Sequence, residues 1–361
     1  MIKEAIGKVV SKEDLTEAEM EEVMREITTR RASTAQIASF ITALRMKGET
    51  PEEITAAARI IRDKASVINV GDDLMCLDRE EITVESETIR CTTEDLTKGT
   101  ATFNISTATA LVAAGGGLKV AKYGRKSLSP LFGCADVVEK LGINLDMTPS
   151  QLERCIDEVG ICFLYEPLVK KGLEHIVAIR KKMGIRTIFN LLDPLINPAG
   201  ARTQVLGVYE AGLTDTMALV LKNLGIKRAL VVHGKDTLDE ISITGKTKVT
   251  ELKDDGKMKS YTIKPEDFGM KRGKLGEIRG GTKERNAEIV REILNGSIGA
   301  KRDVTVLNAA AAFVIAGRAK DFREGIKMAN QSIDSGKALK TLERLVEFTN
   351  VEERYFRKAY E

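Results

Sequence analysis

Three short stretches carry the side chains able to handle a phosphorylated ligand. In Thr102-Phe-Asn-Ile-Ser-Thr-Ala108, the residues Asn104, Ser106 and Thr107 precede an alanine-rich run that stops at Gly115-Gly-Gly117. Small polar residues opening a helix leave free N–H groups at the positive end of its dipole, which suits phosphate. Lys122-Tyr-Gly-Arg-Lys-Ser127 follows a short apolar strand, Leu118 to Ala121, and places Lys122 where that strand ends. Lys122, Arg125 and Lys126 with Ser127 and Ser129 form a basic and hydroxyl cluster, either a pyrophosphate cradle or a solvated turn. Asp239-Glu240 comes just past the apolar run that holds Val231 and Val232. Adjacent carboxylates there are either a magnesium anchor, completed by waters and ligand phosphates, or two surface acids in a loop. Ligands of open α/β sheets gather at the carboxyl ends of the strands, so together the three stretches point to phosphate and magnesium. His175 and His233 are the only histidines and lie far apart in sequence, so each reads as a structural, hydrogen-bonded residue.

Positioning such residues takes a sizeable core, and the chain has the material for one. Its 361 residues are 43% hydrophobic and 30% charged, with a net charge of +3. That charge is too small to argue for nucleic acid, and acids alternate with bases along most of the chain. The cysteines, Cys76, Cys91, Cys134, Cys155 and Cys162, are odd in number and lack a C-x-x-C pair, against both a zinc site and a disulfide framework. No run approaches the roughly 20 apolar residues of a membrane span, and Met1-Ile-Lys-Glu4 has no apolar signal core, so the cytoplasm is the expected location.

The first seventy or so residues read as helical. Thr16-Glu-Ala-Glu19 has capping-box spacing; Ile37, Phe40, Ile41 and Leu44 share one helical face that Gly48 can end. Thr50-Pro-Glu-Glu53 opens a further helix with Ile54, Ala57, Ala58 and Ile61 on its buried side. Beyond residue 70 the pattern changes. The alternating stretch Glu81 to Arg90 predicts an exposed hairpin strand, and from 102 onward helices alternate with apolar strands. The expected strands are Leu118–Ala121, Ile185–Phe189, Ala229–Val232 and Val304–Leu307, with helices from Thr148-Pro149 and from about Thr214 to Leu224, ended by Gly225. Such alternation predicts an α/β fold with a mainly parallel central sheet. Between 241 and 263 an antiparallel element turns at Asp254-Asp-Gly256; 264 to 285 reads as a long loop, and helix returns from Asp334.

Several longer blocks carry a resemblance. Gly99-Thr-Ala-Thr-Phe-Asn-Ile-Ser-Thr107, Ala121-Lys-Tyr-Gly124, Gly133-Cys-Ala-Asp-Val-Val-Glu139, Gly184-Ile-Arg-Thr-Ile-Phe-Asn-Leu-Leu192, Asn197-Pro198, Val231-Val-His-Gly234, Leu238-Asp-Glu-Ile-Ser242 and Leu307-Asn-Ala-Ala-Ala-Ala312 occur in the order found in the anthranilate phosphoribosyltransferase family, which the chain resembles from about residue 5 to 345. The resemblance implies a nucleoside-phosphorylase-like fold: a helical domain, 1–70, completed by helices around 150–183, and an α/β phosphoribosyl-binding domain, 71–361. It implies a homodimer of tryptophan biosynthesis that moves ribose 5-phosphate from phosphoribosyl pyrophosphate (PRPP) to a small aromatic amine with Mg2+. By the same resemblance Asn104, Ser106, Thr107, Lys122 and Ser127 are substrate contacts, Arg180 holds the aromatic acid's carboxylate, and Asp239 and Glu240 hold the metal.

The departures from that pattern are specific. The family's glycine-rich turn is replaced by Arg90-Cys-Thr-Thr-Glu-Asp-Leu-Thr-Lys98, which contains no glycine. The acceptor-side His and Asn become Tyr123 and Arg125, the pocket-closing His-Pro becomes Lys170-Lys171, and Asp193 stands at a glycine position. The sequence therefore leaves four readings open: a transferase with altered donor loop and acceptor pocket, a non-catalytic nucleic-acid-binding protein on the same fold, an enzyme that still makes phosphoribosyl-anthranilate despite these substitutions, or a nucleoside phosphorylase-like enzyme.

Overall fold

The computed structural model describes residues 1–64, 68, 74–79, 102–124, 133–165, 173–236 and 238–360. The hairpin strand expected at Glu81 to Arg90, the loop at Arg90 to Lys98, and Arg125 to Ser129 lie outside these residues. Four helices open the chain: α1 (Ile2–Val10), α2 (Glu17–Thr28), α3 (Thr34–Lys47) and α4 (Pro51–Arg62). Side-chain capping fixes three of their starts, because Thr16 with Glu19, Ser33 with Gln36 and Thr50 with Glu53 each satisfy one another's free N–H groups. Ile37, Phe40, Ile41 and Leu44 are fully buried, each contributing about 1.5–3 kcal/mol by leaving water. Glu53 is the charged exception in this core. Its Oε1 accepts from Leu15 N at 2.9 Å, and its Oε2 from Thr50 N at 2.9 Å and Lys47 Nζ at 3.0 Å. One carboxylate thus ties three chain segments together.

The remainder is built on a sheet of β1 (Leu74–Arg79), β2 (Lys119–Gly124), β3 (Ile161–Tyr165), β4 (Thr203–Gly207), β5 (Arg228–Gly234), β6 (Thr247–Leu252) and β7 (Met258–Ile263). The strand order is β3-β2-β1-β4-β5-β6-β7. The strands from β3 to β5 are parallel, and β6 and β7 extend the sheet antiparallel, turning at Asp254-Asp-Gly256 as predicted. The chain runs from β1 out to β3, then returns to β4 on the other side of β1. That reversal opens a crevice at the carboxyl ends of β1 and β4.

The helices between and after the strands are α5 (Ile105–Gly115), α6 (Cys134–Lys140), α7 (Pro149–Val159), α8 (Glu174–Met183), α9 (Ile188–Leu192), α10 (Leu213–Asn223), α11 (Lys283–Leu294), α12 (Ala300–Ile315), α13 (Phe322–Asp334) and α14 (Lys337–Tyr360). Helix α5 packs on β1, β2 and β3, α12 packs on β4 and β5, and the two helices pack on each other. At the end of α5, Gly115 lets the α14 backbone approach so closely that a Cβ there would stand 2.6 Å from Ala338 Cα. Helix α7 lies against β2 and β3, whereas α8 and α9 reach α3.

Two expected strands are absent, one replaced by helix and the other by a loop leading into a helix. Val304–Leu307 lies inside α12, because a short, mainly apolar run cannot by itself distinguish a strand from a buried helix, and the alanines that follow carry the helix on. Ile185–Phe189 contains the start of α9, where Thr187 N donates to Asn190 Oδ1 at 3.1 Å. Strands β1, β3 and β4 were not expected. The C-terminal helical region is also broken, at Ser335 and Gly336, where Gly336 has φ +73°.

Candidate active site at the switch-point crevice

The crevice is narrow, with a cavity volume of about 30 Å³. Its floor is apolar, formed by Leu77 of β1, Val205 and Gly207 of β4 and Val232 of β5. Ser106 and Thr109, one turn apart on α5, meet Asp239, Glu240 and Asn308 over this floor. Ser106 sits in the first turn of α5, so the positive end of that helix dipole faces the crevice.

Asp239 and Glu240 are 3% and 5% exposed, which removes the reading of two solvated surface acids. Among the described residues no cluster of three or more His, Cys, Asp or Glu side chains surrounds them. A donor set of two buried carboxylates does not suit zinc, which takes four closely placed nitrogen, sulfur or oxygen ligands. It fits Mg2+, which leaves most of its shell to water and ligand phosphates.

Lys122 is 2% exposed. Cys76 pairs with Ala121 and Leu77 pairs with Val205, so strand alternation puts Lys122 on the same sheet face as Leu77, Val205 and Val232. It stands one strand away from the crevice floor, roughly 4.8 Å across the sheet. Its Nζ lies 3.5 Å from Tyr123 O, and among the described residues no carboxylate comes within ion-pair distance.

The other sequence-derived candidates are dispersed. Asn104 caps α5 by position but makes no cap bond; its Oδ1 accepts from Asn286 Nδ2 at 3.1 Å, and Asn286 Oδ1 accepts from Gly281 N at 2.8 Å. Gly280 allows this contact, since a Cβ there would come 2.6 Å from Asn286 Oδ1. Thr107 turns away from the crevice, with its hydroxyl 3.3 Å from Cys134 Sγ. Ser127 falls outside the described residues. Arg180 is buried with Asp193, Nη2 to Oδ2 at 3.3 Å, and stands over the Phe189 ring at 5.8 Å. His233 Nδ1 lies 2.9 Å from Val208 O, and His175 Nε2 lies 2.9 Å from Ile27 O.

Thr109 and Asn308 carry no role in the sequence reading. Thr109 was discoverable, since it follows Ser106 by one helical turn. Asn308 showed only as a polar residue ahead of four alanines.

Comparison with known proteins fits this geometry. Residues 3–65 match the helical bundle domain of the glycosyl transferase family, and residues 97–339 match its a/b domain. The chain is 51% identical to the anthranilate phosphoribosyltransferase of Citrifermentans bemidjiense over 350 residues, 97% of this chain and 99% of that protein. It belongs to the anthranilate phosphoribosyltransferase family. The Geobacter sulfurreducens member is likewise 51% identical, across 97% of this chain and 100% of its own length. Among solved structures of the family, the Thermus thermophilus enzyme superposes with a TM-score of 0.86 at 36% identity, covering 96% of this chain and 99% of that one. The Saccharomyces cerevisiae enzyme in complex with PRPP and Mg superposes with a TM-score of 0.83 at 25% identity, covering 97% and 98%.

Proposed function

We propose that this chain is a magnesium-dependent phosphoribosyltransferase that moves ribose 5-phosphate from PRPP to an aromatic amine or related nitrogen acceptor. The observation that carries the reading is the meeting of Ser106 with Asp239 and Glu240 in one crevice, beside the buried cation Lys122. The kinship with enzymes named anthranilate phosphoribosyltransferase, one of them solved with PRPP and Mg, supports it.

In the transfer, the bond from ribose C1 to pyrophosphate breaks and its electron pair leaves on oxygen. The acceptor nitrogen's lone pair then forms the new bond to C1, and the nitrogen loses a proton to solvent. Lys122 faces the charge that grows on the leaving oxygens, and Ser106 with the first turn of α5 offers hydrogen-bond donors. The apolar floor keeps water off these groups and so strengthens them. Mg2+ held by Asp239 and Glu240 would screen the charge of the diphosphate. Asn104 and Thr107 serve by anchoring the start of α5 to Asn286 and Cys134. Ser127 completes the donor side in this reading.

The donor loop and acceptor pocket are altered in this proposal. No glycine lies between Arg90 and Lys98 to let backbone approach a pyrophosphate, and Asp193 already engages the Arg180 guanidinium that would hold an aromatic acid's carboxylate. The division into a helical part up to about residue 70 and an α/β part is supported by the two separately matched domains. Exposed Val10 and Met46, at 66% and 80%, offer apolar surface for a dimer through the helical part. The nucleic-acid reading draws less support, since of its basic groups Arg180 is paired with Asp193 and Arg272 with Glu266.

The test is pyrophosphate release from PRPP and Mg2+ over a panel of aromatic amines with and without a carboxyl group. Release with at least one amine, lost in the Asp239→Asn, Glu240→Gln double variant, is the expected outcome. PRPP left intact with every amine offered would overturn the proposal.

A further inference from the structure

We propose that Asn308 is a positioning residue for Asp239 and Glu240, holding them in register with Ser106 through the backbone of Ile241. This rests on the reading of the crevice as a magnesium-diphosphate site. The sequence around Asn308 makes its presence costly. It lies in the buried helix α12, directly ahead of Ala309 to Ala312, where alanine is the better helix former. A buried amide is tolerated only when its polar atoms find partners.

Here they do. Asn308 Oδ1 accepts from Ile241 N at 2.9 Å, while Nδ2 donates to Ile241 O at 2.9 Å and to Val304 O at 2.8 Å. The opposite amide orientation would set N–H against N–H and oxygen against oxygen, so this orientation is fixed by its partners. The side chain therefore pairs with both backbone groups of one residue as a neighbouring strand would, and that residue directly follows Glu240.

Other bonds of the loop run within it, to β6 and to Gly273, whose N donates to Ile243 O at 2.9 Å. Asp236 Oδ2 accepts from the hydroxyls of Ser242 and Thr244. Ser242 N donates to Thr247 Oγ1 at 2.9 Å, and Gly234 N donates to Leu238 O at 2.8 Å. These bonds make the loop stiff but do not refer it to α5. Asn308 supplies that reference, because α12 packs along α5, and Asn308 lines the crevice with both acids and Ser106. A rigid loop displaced by an ångström would keep its own hydrogen bonds and still misplace the metal relative to the diphosphate.

The experiment measures Mn2+ binding in the presence of inorganic pyrophosphate by calorimetry, together with amide hydrogen exchange of residues 238–247 in the metal-free protein. In Asn308→Leu, the structure leads us to expect metal affinity at least about tenfold weaker and faster exchange at Ile241. Asn308→Asp sharpens the test and covers the case in which the leucine variant fails to fold. It keeps the acceptor for Ile241 N but turns an oxygen toward Ile241 O and Val304 O. Added negative charge alone would tighten Mn2+ binding, whereas lost positioning weakens it. Ser332→Ala removes a comparably buried bond elsewhere, Ser332 Oγ to Val112 O at 2.8 Å, and should lower the melting temperature without changing Mn2+ affinity. Unchanged or tighter binding in a folded Asn308 variant overturns the role of Asn308 alone. Failure of the unsubstituted protein to bind Mn2+ with pyrophosphate overturns the reading of the crevice and this proposal with it.

Discussion

Lys122 and Arg180 are both buried cations, at 2% and 8% exposure, yet their surroundings differ in kind. Arg180 has a counter-ion from its own chain, Asp193 at 3.3 Å, and an aromatic face beside it. Lys122 has a backbone carbonyl at 3.5 Å and, among the described residues, no carboxylate. A buried charge without an opposite charge is costly to the fold, whereas a paired one is roughly neutral. Under the proposed function, this contrast marks the Lys122 side as the one kept for an anion from outside. Among the described residues Lys122 faces no carboxylate, whereas Arg180 is neutralised by Asp193.

The sharpest way to break this contrast is Lys122→Met. If Lys122 is held for a diphosphate, the variant should lose about a thousandfold in pyrophosphate affinity, ~4 kcal/mol. Its melting temperature should stay level or rise, because a costly buried charge has gone. A fall in melting temperature would place Lys122 with the paired, structural cations. Asp193→Ala probes the other half. It leaves Arg180 buried and unpaired, so stability should fall by about 3 kcal/mol in chemical denaturation. Aromatic acids should then bind more tightly than before, because Arg180 is free to receive a carboxylate.

The smallest expected effect concerns a solvent-facing pair that calibrates the two buried ones. The Lys8 ammonium, bonded to Glu19 at 2.5 Å, together with the Thr16 backbone holds the Glu19 carboxyl down to about 2 from an ordinary 4.5. Its stabilising contribution is complete above the ordinary value and is lost as the pH falls toward 2. Glu19→Gln should therefore be slightly less stable than the unsubstituted protein near neutrality, with the small deficit closing as the pH falls toward 2.

What could be read in the sequence follows from how local each cause is. The caps at Thr16, Thr50 and Thr148, the stop at Gly48 and the turn at Asp254-Asp-Gly256 involve residues within four positions of one another, and all were legible. Ser106 and Asp239-Glu240 were legible as chemistry because their types and their places at the ends of elements suit phosphate and metal. The element carrying Asn308 was misread, since the run Val304–Leu307 is β-branched and short while its helix depends on packing against α5. The partner of Asn308 lies 67 residues away, and that of Asn104 lies 182 away, so neither bond has a local signature. The Arg180–Asp193 pair spans 13 residues and a change of element, and only the folded chain brings it together.

The central claim is that the crevice grips a diphosphorylated sugar, and a crystal soaked with PRPP and Mg2+ tests it most directly. The account expects diphosphate density between the first turn of α5 and the Asp239-Glu240 loop, within hydrogen-bond reach of Lys122 Nζ and Ser106. Density for the diphosphate elsewhere on the molecule, or a crevice left filled only by solvent at saturating PRPP, would contradict it.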